Sequence, residues 1–247
     1  MKVAKDSSLT QAAHDRLRAD LLACRLKPGE RLVINELCRY LDVSLGAVRE
    51  ALSRLTSEGL VIAEPQRGFR VTPISPEDLK DLTAVRLEIE LLCLKDSIAH
   101  GDVRWEAGLV AAEHLLARTP EKDSSDLRLL TEAYAVAHRV FHESLVAACK
   151  SRWLLKLRSL LYDQSERYRR LSIPLAVTER DTNGEHKAIM NAALARDYAR
   201  AASALTAHLE RTTQILLHTS IGRPTETETR TSKSNGKKRA AATVSAS

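Results

Sequence analysis

Two histidines stand four apart in "AHRVFHESL", His138 and His142. In a helix that spacing puts both rings on one face. Imidazole ligates zinc, nickel and similar divalent ions, and helical bundles build such sites where helices face inward. A lone core histidine is more often simply hydrogen-bonded, so the pair by itself leaves both chemistries open. Two more histidines fall beside apolar stripes. His186 lies in "NGEHKAIMNAAL" with Ile189, Ala193 and Leu194, and His208 lies in "ALTAHLERTTQILL" with Leu205, Leu209 and Leu216. The four are thus expected on or beside the core-facing sides of three helices, and spacing goes no further than that. His14 sits in the first helix, while His100, His114 and His218 look peripheral.

Arginines supply a second chemistry, because a guanidinium matches a carboxylate in a two-pronged fashion. Arg86 is a candidate clamp, with a salt bridge to Glu90 four residues on as the alternative. The run "SERYRRLS" offers Tyr168 and Arg169, while two of its three arginines, Arg167, Arg169 and Arg170, are expected on a solvated face.

These side chains need elements to hold them. The chain has 247 residues, 44% apolar, rich in Ala and Leu and poor in aromatics, which favours helices and permits a sizeable core. Ala13, Leu17, Leu21 and Cys24 mark an amphipathic helix over 8–25, broken by "LKPGER". Ile34, Leu37 and Leu41 mark a short second helix. "DVS" turns the chain, and Ser44 is a good N-cap for a third helix that buries Val48, Ala51, Leu52 and Leu55 and stops at Gly59. Two β-prone runs, Leu60–Ala63 and Phe69–Thr72, flank a turn with Pro65 and Gly68 and predict a hairpin. Three helices and a hairpin make a winged helix-turn-helix over residues 1–73. From Pro76 onward only helices are expected, over 76–100, 103–117, 124–149, 151–170, 179–195 and 197–219. The fold class is therefore mainly α, with an N-terminal winged helix-turn-helix followed by an all-helical bundle ligand-binding domain over 76–221.

Charge follows this division. The net charge is +3 over residues 1–73, −1 over 74–221 and +4 over the Thr/Ser/Lys-rich tail 222–247, which is expected to be disordered. No run of apolar residues is long enough to span a membrane, and the polar N-terminus lacks the core of a signal peptide. Cys24, Cys38, Cys93 and Cys149 are scattered without a CxxC, which suggests reduced, buried thiols and a cytoplasmic protein.

Around the third helix, Gly46, Arg49, Glu50 and Ser53 fall opposite the apolar residues, with Arg54 on a flank. A helix in a major groove needs this packed back and polar front, with an Arg in its N-terminal half. Arg67, Gly68 and Arg70 place positive charge and a small residue on the wing, suited to phosphate or minor-groove contact. Asn35, Ser44 and Leu45 complete the candidate DNA-contacting set. A solvated amphipathic helix beside an ordinary hairpin is the plain alternative for each piece taken alone.

Residues 26–71, with "PGERL", "VS" before the third helix, "VREALSRL", "EGLV" and "RGFRV", resemble the GntR-type winged helix. The resemblance implies DNA contacts by Ser44, Arg49, Arg67 and Gly68. Leu45 departs from it, since the family often has Arg there. Residues 76–219 resemble the FCD ligand-binding domain of the FadR-type branch, through "DLTAVRLEIELLCLKDSIAHGD", "HRVFHESLVAACKSRWLLKL" and "EHKAIMNAALARDYARAASALTAHLE". That likeness implies a divalent ion held by His138, His142, His186 and His208, zinc first, with nickel or manganese as alternatives. His138 stands where most members have Asp, so the site carries one negative charge fewer and favours an anionic ligand more.

The expected protein is a homodimeric repressor of double-stranded operator DNA, released by a small organic acid bound at the metal. Two alternatives differ in class: a regulator that senses the ion directly, and a DNA-tethered metal-dependent hydrolase. The hydrolase needs an inward general base, and Glu143, one residue past His142, turns about 100° away.

Overall fold

The structure, a computed structural model, describes residues 2–122, 124, 130–172 and 180–218, with the side chains of 2–8 and 172 left out. Its elements are α1 (Lys2–Leu22), β1 (Arg31–Leu32), α2 (Ile34–Leu41), α3 (Leu45–Ser57), β2 (Val61–Glu64), β3 (Gly68–Val71), α4 (Pro76–His100), α5 (Val103–Arg118), α6 (Glu132–Leu145), α7 (Arg152–Ser172), α8 (Thr182–Leu194) and α9 (Tyr198–Leu217). The fold is mainly α, a winged helix-turn-helix followed by a helical domain. The expected disordered tail, 222–247, lies outside the described residues.

In the N-terminal half, Leu17, Leu21, Leu37, Val48, Leu52, Leu55, Leu60 and Val71 pack into one apolar core. The expected hairpin forms as β2 and β3, with Val61 opposite Val71 and Glu64 opposite Gly68. β1 adds a third strand, pairing Arg31 with Arg70 in the order β1-β3-β2. Two residues are too few to show alternation, so this strand left no periodicity to read. The first helix ends at Leu22 rather than residue 25. Cys24 turns left-handed (φ 55°), and the amide of Arg25 reaches back to Asp20 O at 2.9 Å, a Schellman-type closure. Gly59 (φ 71°) ends the turn after α3 in a conformation that disfavours side chains.

In the C-terminal half, Cys93, Leu94, Leu109, Leu116, Phe141, Leu145, Ile189, Ala193, Leu205 and Leu209 form the core of α4, α5, α6, α8 and α9. α4 begins as expected, with Ser75 Oγ accepting from the Asp78 amide and Pro76 in the first turn. The helix expected over 124–149 is shorter at both ends. Thr131 caps α6, its Oγ1 accepting from the Tyr134 amide, and Leu130 just before it pairs with Lys122 in an antiparallel bridge. At the other end the chain unwinds after Leu145 into a turn. The two domains meet along α7, which packs on α4 on one side and reaches α1 and the end of α3 on the other.

The thiols are all free, but only Cys93 and Cys149 are fully buried. Cys24, in the turn past the end of α1, and Cys38, on α2, are half-buried.

Candidate metal and effector site and DNA-reading surface

His138 and His142 both leave α6 on its inward face. α8 brings His186 and α9 brings His208, and all four rings are buried. One ligand nitrogen from each lies within 4.8 Å of the others. Ring centroids are 4.5 Å apart for His138 and His142, and 4.7 Å apart for His186 and His208.

Two rings have outer partners. His208 Nδ1 lies 2.9 Å from Glu185 Oε2. A carboxylate only accepts, so this nitrogen carries the proton and Nε2 is left with its lone pair free. His138 Nδ1 shares a 3.0 Å hydrogen bond with the Tyr162 hydroxyl. Among the described residues, His142 and His186 have no partner at either ring nitrogen. Four buried, unpartnered nitrogens on two rings are costly unless something binds them. A hydrogen-bonded core histidine, the plain alternative for each residue, does not describe these two.

Burial holds all four imidazoles neutral. His138 and His142 are pushed well below the ordinary histidine range by burial, helped for His138 by Arg169 and the three other histidines, and for His142 by His208, His186, Arg86 and Arg158. His186 is pushed down to about 2 by causes of the same kind. Burial also lowers His208, against the raising influence of Glu185. Neutral imidazole is the ligating form. The donor set therefore fits a divalent ion bound through four nitrogens, with a second shell already in place at two of them.

A narrow cavity adjoins the rings. Arg86, His138, Arg169, Leu209 and Thr212 line both of its lobes. One lobe extends past Tyr162, Ser165 and Thr213 toward Leu79 and Leu216. The other holds His142, His208, Tyr134 and Arg180. Arg86 forms the alternative salt bridge, 3.3 Å from Glu90, and its side chain also lines the cavity. Glu90 is shared with the buried Arg158, whose Nε donates to it at 2.9 Å. Arg169 faces the cavity and bonds Glu166 through two nitrogens, at 2.9 and 2.7 Å.

Tyr168 lies elsewhere, as a correction to its expected place. It is buried under the interdomain junction, where its hydroxyl bonds Asp78 and accepts from the Ser75 amide at 3.2 Å. It is one residue, about 100°, away from Arg169 on the helix, so the two cannot share a face. The expectation of two solvated arginines is also overturned. Arg167 is buried at the junction and donates to Thr72 O, and Arg170 is largely covered by Glu132 and Glu166.

Arg180, Glu185, Tyr162 and Arg158 went unread in the sequence. Glu185 had a weak signal, as the neighbour of His186 in the first turn of α8, and Arg180 pairs with it from five residues before; Tyr162 and Arg158 had none, because their partners lie far along the chain. Glu143 is half-exposed and pairs with Arg139 at 3.7 Å, away from the rings.

The other candidate surface is in the winged domain. Ser44, Leu45, Gly46, Arg49 and Ser53 are exposed on α3, with Arg54 half-buried on its flank. Ser44 also caps the helix, its Oγ accepting from the Ala47 amide at 3.3 Å. Asn35 is exposed on α2, and Arg67 and Gly68 are exposed at the wing. Arg70 is more committed to the fold: it donates to Gly29 O at 2.6 Å and to Glu64 at 3.0 Å, which fastens the wing to the loop before β1.

Residues 9–71 match the family of bacterial regulatory proteins described as the gntR family, and residues 81–211 match the FCD domain, over half the chain. The chain belongs to the GntR family. It is 42% identical over 208 residues to the HTH-type transcriptional regulator BphR of Paraburkholderia xenovorans, covering 84% of this chain and 85% of that one. It is 34% identical over 197 residues to the HTH-type transcriptional repressor GlaR of Escherichia coli, covering 78% and 89%. Among solved structures, Escherichia coli McbR/YncC superposes with a TM-score of 0.70 at 22% identity, over 84% of this chain and 96% of that one, which speaks to fold alone. As a GntR-family protein the chain is a DNA-binding transcriptional regulator, and the family and these relatives are regulators rather than enzymes. FCD domains often bind metal, and this one carries a histidine cluster able to do so. No helix among the described residues is long and apolar enough to cross a membrane.

Proposed function

We propose that the protein is a cytoplasmic homodimeric repressor, released from its operator by a small organic acid bound beside a divalent ion in the helical domain. Residues 1–73 read DNA and residues 76–221 sense the effector. The observation that carries the sensing half is the buried, unpartnered state of the His142 and His186 ring nitrogens beside two further imidazoles. His138, His142, His186 and His208 would hold zinc, with nickel or manganese as substitutes, and the ion would supply a Lewis-acidic seat for a carboxylate oxygen. Arg86 and Arg169 line the adjoining cavity and face the acid, and Arg180 joins them in one lobe. The four-imidazole shell brings no negative charge, which favours an anion beside it.

In the reading half, Arg49 and Ser53 contact bases from α3, helped by Gly46 and Leu45 at its start and Arg54 on its flank. Ser44, Asn35, Arg67, Gly68 and Arg70 contact or position the backbone. An exposed apolar face supports the homodimer: Val85 and Leu92 on α4 and Trp153, Leu157 and Leu160 on α7, each set at helical spacing. The acid shifts operator affinity only as far as it binds the two domain arrangements differently.

A thermal-shift series tests this. Zinc at about 100 times its dissociation constant adds ~2.7 kcal/mol to stability, and short mono- or dicarboxylic acids then add a further rise only in the metal-loaded protein. Absence of a zinc shift removes the metal reading, and a zinc shift without any acid response removes the effector. A direct metal sensor is the second reading, favoured by the fact that the four imidazoles form a donor set without help from any other ligand. Operator affinity that responds fully to zinc alone would establish it.

A further inference from the structure

Helix α7 touches both halves of the molecule with consecutive residues. Tyr162 faces the histidines and meets His138 Nδ1 at 3.0 Å. Asp163 and Gln164 come about 100° and 200° further round the helix and face the winged domain. Asp163 accepts from Arg139 Nη2 at 2.6 Å and from Arg18. Arg18 Nε donates in turn to Glu58 at 2.9 Å, and His14 Nε2 lies 2.6 Å from the other oxygen of that carboxylate. Gln164 Nε2 donates to the backbone carbonyl of Glu58 at 2.9 Å.

Glu58 is the C-cap of α3, the helix that carries Arg49 and Ser53. The last carbonyls of a helix lack intrahelical partners. Here one of them is satisfied from the other domain. The approach is close: a Cβ on Gly59 would stand 3.3 Å from Gln164 Nε2. The same α7 turn also carries Arg167, which donates to Thr72 O just past the wing. The bundle thus holds the rear of the recognition helix through buried or half-buried polar groups, whose geometry is directional in a way that apolar packing is not.

We propose that Asp163 and Gln164 are positioning residues for the recognition helix, and that Tyr162, next to them on α7, ties their hold on Glu58 to the state of the histidine cluster. The first half stands without a metal; the second rests on the metal-site reading above. A rotation or shift of α7 small enough to keep the bundle packed is passed to α3 at its C-terminal end, far from the residues that face DNA. It therefore changes the angle of the helix rather than its contacts.

The test compares the full chain with a variant carrying Asp163→Asn and Gln164→Ala, by hydrogen exchange at the amides of residues 58–61. Without metal, loss of the clamp speeds exchange there by about 5-fold, while amides of α8 and α9 keep their rates. Unchanged rates at 58–61 overturn the positioning role. Asp163→Glu, which keeps the charge, restores slow exchange when introduced with Gln164 intact. If the double variant fails to fold, Gln164→Ala alone removes the carbonyl clamp, together with the 3.0 Å hydrogen bond from Arg167 Nη1 to Gln164 Oε1, and leaves Asp163 paired with Arg139 and Arg18.

Zinc is then added to both proteins, with its binding measured by chelator competition. Zinc changes exchange at 58–61 in the wild type and not in the double variant, at equal zinc affinity. Zinc that binds without altering these amides in the wild type overturns the link through Tyr162. Zinc that does not bind overturns both that link and the metal reading, while the metal-free comparison still decides the positioning role.

Discussion

The winged domain keeps Ser44, Leu45, Gly46, Arg49, Ser53 and Arg67 on its outside, over an apolar core beside which Thr10, His14 and Asp20 are the buried polar residues among those described. The bundle does the reverse: it encloses His138, His142, His186 and His208 together with Glu90, Arg158, Glu166 and Arg169. Surface residues of the first kind are almost free of folding consequence, since they are solvated in both states. Buried polar groups of the second kind lower stability unless partnered, so the bundle gives up stability for a site. The DNA-reading residues proposed for one domain can vary without risk to its fold, whereas the sensing residues proposed for the other cannot vary without altering its core.

The largest contrast to test is at His142. Replacing it with Leu removes a proposed ligand and two nitrogens that have no partner among the described residues at once. Zinc affinity should fall by more than ~100-fold, beyond the usual loss from an outer-sphere change, while the metal-free protein gains about 1–3 kcal/mol. Chelator competition and denaturant unfolding read the two effects separately; a destabilised metal-free variant would mean that the rings are partnered after all.

Arg49→Ala probes the opposite case. Operator affinity should drop by about 1–3 kcal/mol with less than ~0.5 kcal/mol change in stability. A large loss of stability would make Arg49 part of the fold rather than of the reading surface.

Acid should separate the halves next. The folded bundle holds its histidines neutral, with pKa values below the ordinary 6.5. Below pH 6.5 the unfolded chain takes up protons that the fold excludes, so stability is full above that pH and declines as pH falls. The slope reaches ~1.4 kcal/mol per pH unit for each excluded proton, and continues down toward about 2 for His186. Replacing the four histidines with Leu should flatten this decline. A wild-type profile that is flat between pH 6.5 and 5 would contradict the buried neutral state.

The smallest effect belongs to Leu45, exposed in the first turn of α3. Leu45→Arg should add about one phosphate contact, steepening the salt dependence of DNA binding by about one unit of slope with no change in stability.

Periodicity carried much of this molecule. The stripe of Val48, Ala51, Leu52 and Leu55 marked the buried face of α3, and these residues are fully buried. The i, i+4 spacing of His138 and His142 put both rings on the inward face of α6, where they lie. The run around Tyr168 misled because "SERYRRLS" reads as one basic surface. Its members point in successive directions about 100° apart, and α7 happens to be covered on nearly every side there, by the cavity, the interdomain junction and Glu132. Thr131 does not stand out as a helix start in the sequence, because a capping threonine and one in an irregular segment look alike there.

The amino-acid sequence by itself determined the order of helices and hairpin, the apolar face of each, and which imidazoles lean toward an interior. A local repeat is enough for that, because burial of a face depends on residues three and four apart. Tertiary structure alone decided which polar groups meet: Glu185 with His208, Tyr162 with His138, Arg158 with Glu90, and Gln164 with the end of α3. Those partners lie 23, 24, 68 and 106 residues apart. A hydrophobic pattern records that a face is covered, but it says nothing of which distant charge or carbonyl waits on the other side.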